Sequence, residues 1–247
     1  MTSRSRVETL FTAVAIVAIA MLPSGGCNIG VSAKPAAGPG GTAPIKRCRA
    51  TRPADDGSLD DFEDGNTQLT KSDGRDGYWF TAADPSGSTI EMQTQEPGAG
   101  SELAIHMSGK TASGSAEAGQ WGVQLGVNFK NEQGVLYDAS KYAGISFKAK
   151  AAPGSSRNVR FKIGDVNTHK DAGVCTTCWN HFGMDLKLTE GWKEYRIPFS
   201  TAEQEPGWGS PRPQSVTPAK LIGFNWSVGP NQAFDMWFDD VTFLDCE

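Results

Sequence analysis

Nine residues near the middle of the chain restrict its fold more than any others. Across 121–129, Trp121, Val123, Leu125, Val127 and Phe129 alternate with Gly122, Gln124, Gly126 and Asn128. A period of two sends the apolar set to one face of a β-strand and the small and polar set to the other, so one side meets a core and the other meets solvent or a ligand. Ten further short β-rich runs, at 59–63, 78–81, 89–94, 102–107, 144–149, 158–163, 184–188, 194–199, 220–228 and 234–244, are separated by Gly, Pro, Asp and Asn, and no helical stripe interrupts them. Glycine makes up 29 of the 247 residues, which suits a chain that turns this often. Half-buried strands must cover their apolar faces with one another. The expected fold class is therefore all-β, a two-sheet β-sandwich and most economically a jelly roll.

Charge removes one class of partner. With 23 Lys and Arg against 28 Asp and Glu the formal net charge is −5, which leaves no electrostatic footprint for a polyanion, so nucleic acid is not expected. At the amino end, Arg4 and Arg6 precede an apolar run over 10–22 that Pro23 breaks. The run is too short to cross a bilayer as a helix of ~20 residues, and its flanks are those of a cleaved export signal over 1–26. Ser24-Gly25-Gly26-Cys27 resembles the lipobox of bacterial lipoproteins, which implies lipidation of Cys27 and anchoring on a membrane. Ser24 stands where that pattern has an aliphatic residue, so a plain secretory cut is the alternative. Residues 27–57, rich in Gly, Pro and Ala without apolar periodicity, read as a tether, and 58–247 as the folded domain. The expected location is the bacterial cell envelope or the extracellular space.

With Cys27 set aside, Cys48, Cys175, Cys178 and Cys246 remain, and an even count in an exported chain implies disulfides in one of three connectivities. The favoured arrangement is Cys175–Cys178 with Cys48–Cys246. His169, Cys175, Cys178 and His181 also match a tetrahedral zinc or copper set. An oxidising compartment and the lack of a second CxxC favour the disulfide, which would place Asn180 and His181 on a rigid loop.

Saccharides are held by aromatic faces against their C–H patches and by planar amide, carboxylate or guanidinium groups against their hydroxyls. Trp79, Trp179, Trp208 and Trp226 lie near Gly, Pro, Asn or Asp, where a ring can be left exposed. Gln124, Asn128, Asn180, Gln204 and Arg212 could serve as polar readers, and Asn180 and His181 could reach a ligand from the clipped loop. Trp121 and Trp237 read as core, and strict alternation in 221–228 would put Trp226 on the face of Phe224. No nucleophile motif is visible. Glu205 with Asp171 or Asp185 could form a carboxylate pair, but no motif supports it, so no catalytic residue is expected.

Four blocks in order carry a resemblance: Leu59-Asp-Asp-Phe-Glu-Asp-Gly65; Gly119-Gln-Trp-Gly122 leading to Tyr142-Ala-Gly-Ile-Ser-Phe147; Trp192-Lys-Glu-Tyr-Arg-Ile-Pro-Phe-Ser200; and Leu221-Ile-Gly-Phe-Asn-Trp226 with Trp237-Phe-Asp-Asp-Val-Thr-Phe243. Together they resemble family 11 carbohydrate-binding modules and their galactose-binding-like relatives. The resemblance implies a jelly roll with structural calcium that binds a β-glucan or related polysaccharide in a cleft without cleaving it. By position it implies that Trp226 stacks on a sugar and that Gln120 replaces a second aromatic. It also places 201–213, with Gln204, Glu205, Trp208 and Arg212, where the family has a cleft-lining loop. Calcium needs several hard oxygen ligands, and the expected ones are Asp61, Glu63 and Asp239. The expected protein is thus a monomeric polysaccharide binder; the alternatives are a small glycoside hydrolase or lyase on the same fold, or a structural or adhesive surface lipoprotein.

Overall fold

The computed structural model describes residues 50–115 and 119–246. The export segment, Cys27, Cys48 and the tether up to residue 49 lie outside them, and so does the expected Cys48–Cys246 bond. Among the described residues there are eleven strands and no α-helix: β1 (Ala50–Asp60), β2 (Tyr78–Ala83), β3 (Thr89–Gln95), β4 (Ala104–Lys110), β5 (Val123–Asn128), β6 (Gly144–Ala151), β7 (Asn158–Asp165), β8 (Phe182–Lys187), β9 (Lys193–Pro198), β10 (Leu221–Val228) and β11 (Ala233–Cys246).

Alternation sorts these strands into two antiparallel sheets. One runs β3-β4-β11-β6-β9, with β1 also paired to β11; the other runs β2-β5-β10-β7-β8. The long β11 makes this possible, because its first half pairs with β4 while its second half pairs with β1. Between the sheets, Leu125, Val127, Phe161, Phe224 and Trp226 from one layer meet Phe147, Phe238 and Phe243 from the other, all at 0% exposure. The arrangement is the expected sandwich.

β1 begins eight residues inside the stretch read as tether. Its Pro, Asp and Gly content hides the strand, but Ala54, Gly57 and Leu59 are buried and the register against β11 slips at three places. An edge strand tolerates both the slips and Pro53. Arg75 ties it down from the other side. That side chain is fully buried and donates to the carbonyls of Asp56 and Ser58, both at 2.9 Å, and to the Tyr137 hydroxyl at 2.7 Å.

Two tryptophans depart from the core assignment. Trp121 is 41% exposed, because Gly122 turns into the left-handed region (φ 88°) and β5 starts only at Val123. Trp237 faces outward between the buried Met236 and Phe238. Its ring stacks on His106 at 4.3 Å, with the Lys150 ammonium 4.6 Å from its centroid.

Candidate functional site

The outward positions of the five-stranded sheet build a cleft of about 400 Å³. On β5 the inward residues are Val123, Leu125 and Val127, so Gln124, Gly126 and Asn128 face out; on β2 the inward Trp79 leaves Tyr78 and Phe80 outside. Registry then sets rows across the sheet. Phe80, Gly126, Asn225, Lys162 and Gly183 are successive partners, and Asn128, Gly223 and Gly164 form the next row. The floor is thus lined by glycines and amides. Gly126 has a specific reason: a Cβ there would lie 2.3 Å from the Phe80 ring and 2.7 Å from Asn225 Oδ1, so only glycine lets that ring lie over β5.

One wall comes from the β7–β8 connection. The Cys175–Cys178 disulfide is formed, which takes both sulfurs out of the alternative zinc or copper set. Beyond it Trp179 sits in the left-handed region, φ 78°, at a cost of ~1–2 kcal/mol for an L-residue. Neighbouring contacts hold it there. The Trp179 N–H donates to Thr168 O (2.8 Å), and the buried Asn180 amide donates to Glu205 O (2.9 Å) and Trp208 O (2.7 Å) while accepting from Glu205 N (3.0 Å). The outcome is an indole 48% exposed at the cleft, held nearly perpendicular to the rings of His169 (4.7 Å) and His181 (5.9 Å).

These two histidines are neutral readers. Burial holds the His181 imidazole well below its ordinary pKa, with the nearby Lys162 charge adding to the effect. Thr168 Oγ1 donates to Asp165 Oδ1 (3.0 Å), so it accepts from His181 Nδ1–H (2.8 Å), and this leaves Nε2 as an acceptor over Gly164. Burial likewise lowers the pKa of His169, against the pull of Asp171. His169 Nδ1 accepts the Asp171 N–H at 3.3 Å, which leaves its Nε2–H as a donor. An acceptor and a donor thus stand side by side on parallel rings 5.7 Å apart.

Of the ligand residues expected from sequence, Gln124, Asn128, Trp179 and His181 line this cleft. Trp208, 40% exposed, lies on the adjoining 201–213 loop with its Nε1–H on Glu205 (3.0 Å), and Arg212 donates to Trp208 O (2.7 Å). Asn180 and Gln204 are struts instead of readers: the first is consumed as above, and Gln204 donates to Asn180 O at 2.7 Å. Gln120 folds back on its own loop to accept from Ser115 N (2.9 Å). Trp79 and Trp226 require correction. Both are in the core at 3% and 0% exposure, stacked on one another at 5.5 Å, and Trp79 Nε1–H donates to Asp60 (2.8 Å). Tyr78, Phe80, Asn225 and Lys162 were not singled out by sequence.

The three expected calcium ligands separate into two kinds. Glu63 accepts from Leu103 N (2.7 Å) and Glu102 N (3.2 Å), and the buried Asp239 accepts from Ala99 N (2.7 Å) and Ser101 Oγ (2.9 Å), so both clamp the loop between β3 and β4. Asp61 turns back to its own turn, accepting from Glu63 N. Among the described residues no three His, Cys, Asp or Glu side chains are gathered as a metal site. Of the carboxylates considered for hydrolysis, Asp185 and Glu205 face Arg160 at 3.0 and 3.6 Å, and Asp171 accepts from Gln133 Nε2 at 3.0 Å.

No family model matches the chain, and no curated protein matches it. Solved structures do. The family 11 carbohydrate-binding module of the cellulosomal cellulase Lic26A-Cel5E of Clostridium thermocellum superposes with a TM-score of 0.53 at 16% identity, over 77% of this chain and 94% of that one. The family 11 module from the same organism in complex with a β-1,3-1,4-mixed-linked tetrasaccharide gives 0.53 at 17%, over 77% and 95%. This likeness establishes the fold, the jelly roll of that kind of module.

Proposed function

We propose that the outer face of the five-stranded sheet binds a polysaccharide chain, a β-glucan or a relative of it, without cleaving it. The observation that carries this is the pairing in one cleft of an exposed indole, Trp179, with Tyr78 and Phe80 opposite and a floor of glycine and amide between them. Rings supply the flat apolar contact, and Gln124, Asn128, Asn225 and the two neutral imidazoles supply donors and acceptors at fixed orientations. A solved relative of the same fold is described in complex with a mixed-linked tetrasaccharide, which supports the reading. Calorimetric titration with mixed-linkage glucan, xylan, galactan and peptidoglycan fragments tests it. Saturable heat with at least one, and no release of reducing ends, is expected; no heat with any of them overturns it.

Export fits this role, since such polymers lie outside the cell. Among the described residues no helix is long and apolar enough to cross a membrane. The lipid anchor on Cys27 and a monomeric state belong to the same proposal. A structural calcium is a separate one, motivated by Glu63 and Asp239 converging on one loop and by burial raising the pKa of the Asp239 carboxyl. A divalent cation there would offset that burial. The melting temperature should rise when EDTA is replaced by excess calcium, and Asp239→Asn should abolish the rise; an unchanged melting temperature in the parent protein disposes of the ion.

A further inference from the structure

Lys162 continues the outward row of Phe80, Gly126 and Asn225 at the border of the cleft, and the stacking-and-amide scheme leaves it unused. It points outward from β7, since Phe161 and Ile163 on either side are fully buried, and its cross-strand partners are the cleft residue Asn225 and Gly183. Among the described residues no acceptor lies within hydrogen-bond or ion-pair reach of its ammonium. The carboxylates whose charge it feels, Glu205 and Asp185, are taken by Arg160. His181, the wall residue that feels the Lys162 charge, is neutral. Beside the cleft residue Asn225 the sheet therefore carries an ammonium with three donors and, among the described residues, nothing to receive them. Removal from water favours its uncharged form and lowers its pKa.

A ligand lying over this floor would strip the remaining water from the ammonium. Neutral hydroxyls offset such a loss only in part, whereas a carboxylate neutralises the charge and forms a hydrogen bond about twice as strong as a neutral one. Glu132 and Asp171 line the cleft against one cation, Lys130, whose ammonium is already paired with Asp76 at 3.5 Å, and the whole chain is acidic. A polymer with a carboxylate on every unit would meet repulsion there. We infer that the cleft selects a mainly neutral polysaccharide bearing isolated uronic acid units, with Lys162 reading the carboxylate. This rests on the proposed function and narrows its ligand.

The test uses one glycan in two forms, glucuronoxylan and the same sample with its carboxyl groups reduced to alcohols, with polygalacturonate as the densely charged comparison. The native form should bind roughly tenfold more tightly than the reduced form, and Lys162→Met should erase that difference while leaving the reduced form's affinity in place. Polygalacturonate should bind more weakly than glucuronoxylan. Trp179→Ala is the control, because it should weaken both xylan forms alike. Equal affinity for the two forms overturns the inference and leaves the glycan cleft standing, as does a preference that survives Lys162→Met. Failure of both forms and of the neutral panel to bind removes the cleft and the inference together.

Discussion

Replacing Trp179 by alanine should weaken polysaccharide binding by roughly ten- to a hundredfold, the ~1.5–3 kcal/mol associated with covering a large apolar side chain. The ring is about half exposed at the rim of the cleft, and its backbone is held in place by the Thr168 carbonyl and by the Asn180 struts to Glu205 and Trp208. Alanine keeps those backbone bonds and the same left-handed conformation, so little should change in the free protein. Global stability should stay within about 0.5 kcal/mol, as for most surface substitutions. Calorimetry and chemical denaturation on the same preparation separate the two quantities. Affinity left within twofold would show that the indole is not the platform and would shift attention to Tyr78 and Phe80.

The strands were legible because period-two alternation is a local signal. Which aromatics the strands expose was legible only where a neighbour breaks the tie. Trp226 shares the face of Phe224, and both are buried, so the alternation pointed the right way and the positional likeness to a stacking residue misled. Tyr78-Trp79-Phe80 offers no such guide, since either phase buries an aromatic. Pairing to β5 decides it, placing Trp79 against the inward Val127 and Tyr78 against the outward Asn128. The disulfide could be read from cysteine count and compartment. The idle ammonium of Lys162 could not, because it depends on Arg160, Asp185 and Glu205, the last of which lies about forty residues along the chain. That is tertiary information. A β1 built from Pro, Asp and Gly was hidden for a similar reason, its partners being almost two hundred residues away.

Trp226→Ala should cost ~3–5 kcal/mol of folding stability, the largest loss expected from any single aromatic here. Its indole is fully buried and contacts Trp79, Phe147, Phe161 and Phe238 with ring centroids 5.2–5.5 Å apart, so truncation opens a cavity between the sheets that rigid neighbouring rings cannot fill. Trp226→Phe should be far milder. The indole N–H is buried with no hydrogen-bond partner among the described residues, so removing it relieves a desolvated donor while the phenyl ring keeps most of the contacts. A loss near 1 kcal/mol is expected, because the relieved donor offsets part of the smaller residual void. Denaturant midpoints for the two variants, beside that for Trp179→Ala, resolve the roles of these indoles. Should Trp226→Ala leave the midpoint unchanged and abolish glycan binding, the ring would be a ligand platform after all, and the packing described between the two sheets would be wrong at its centre.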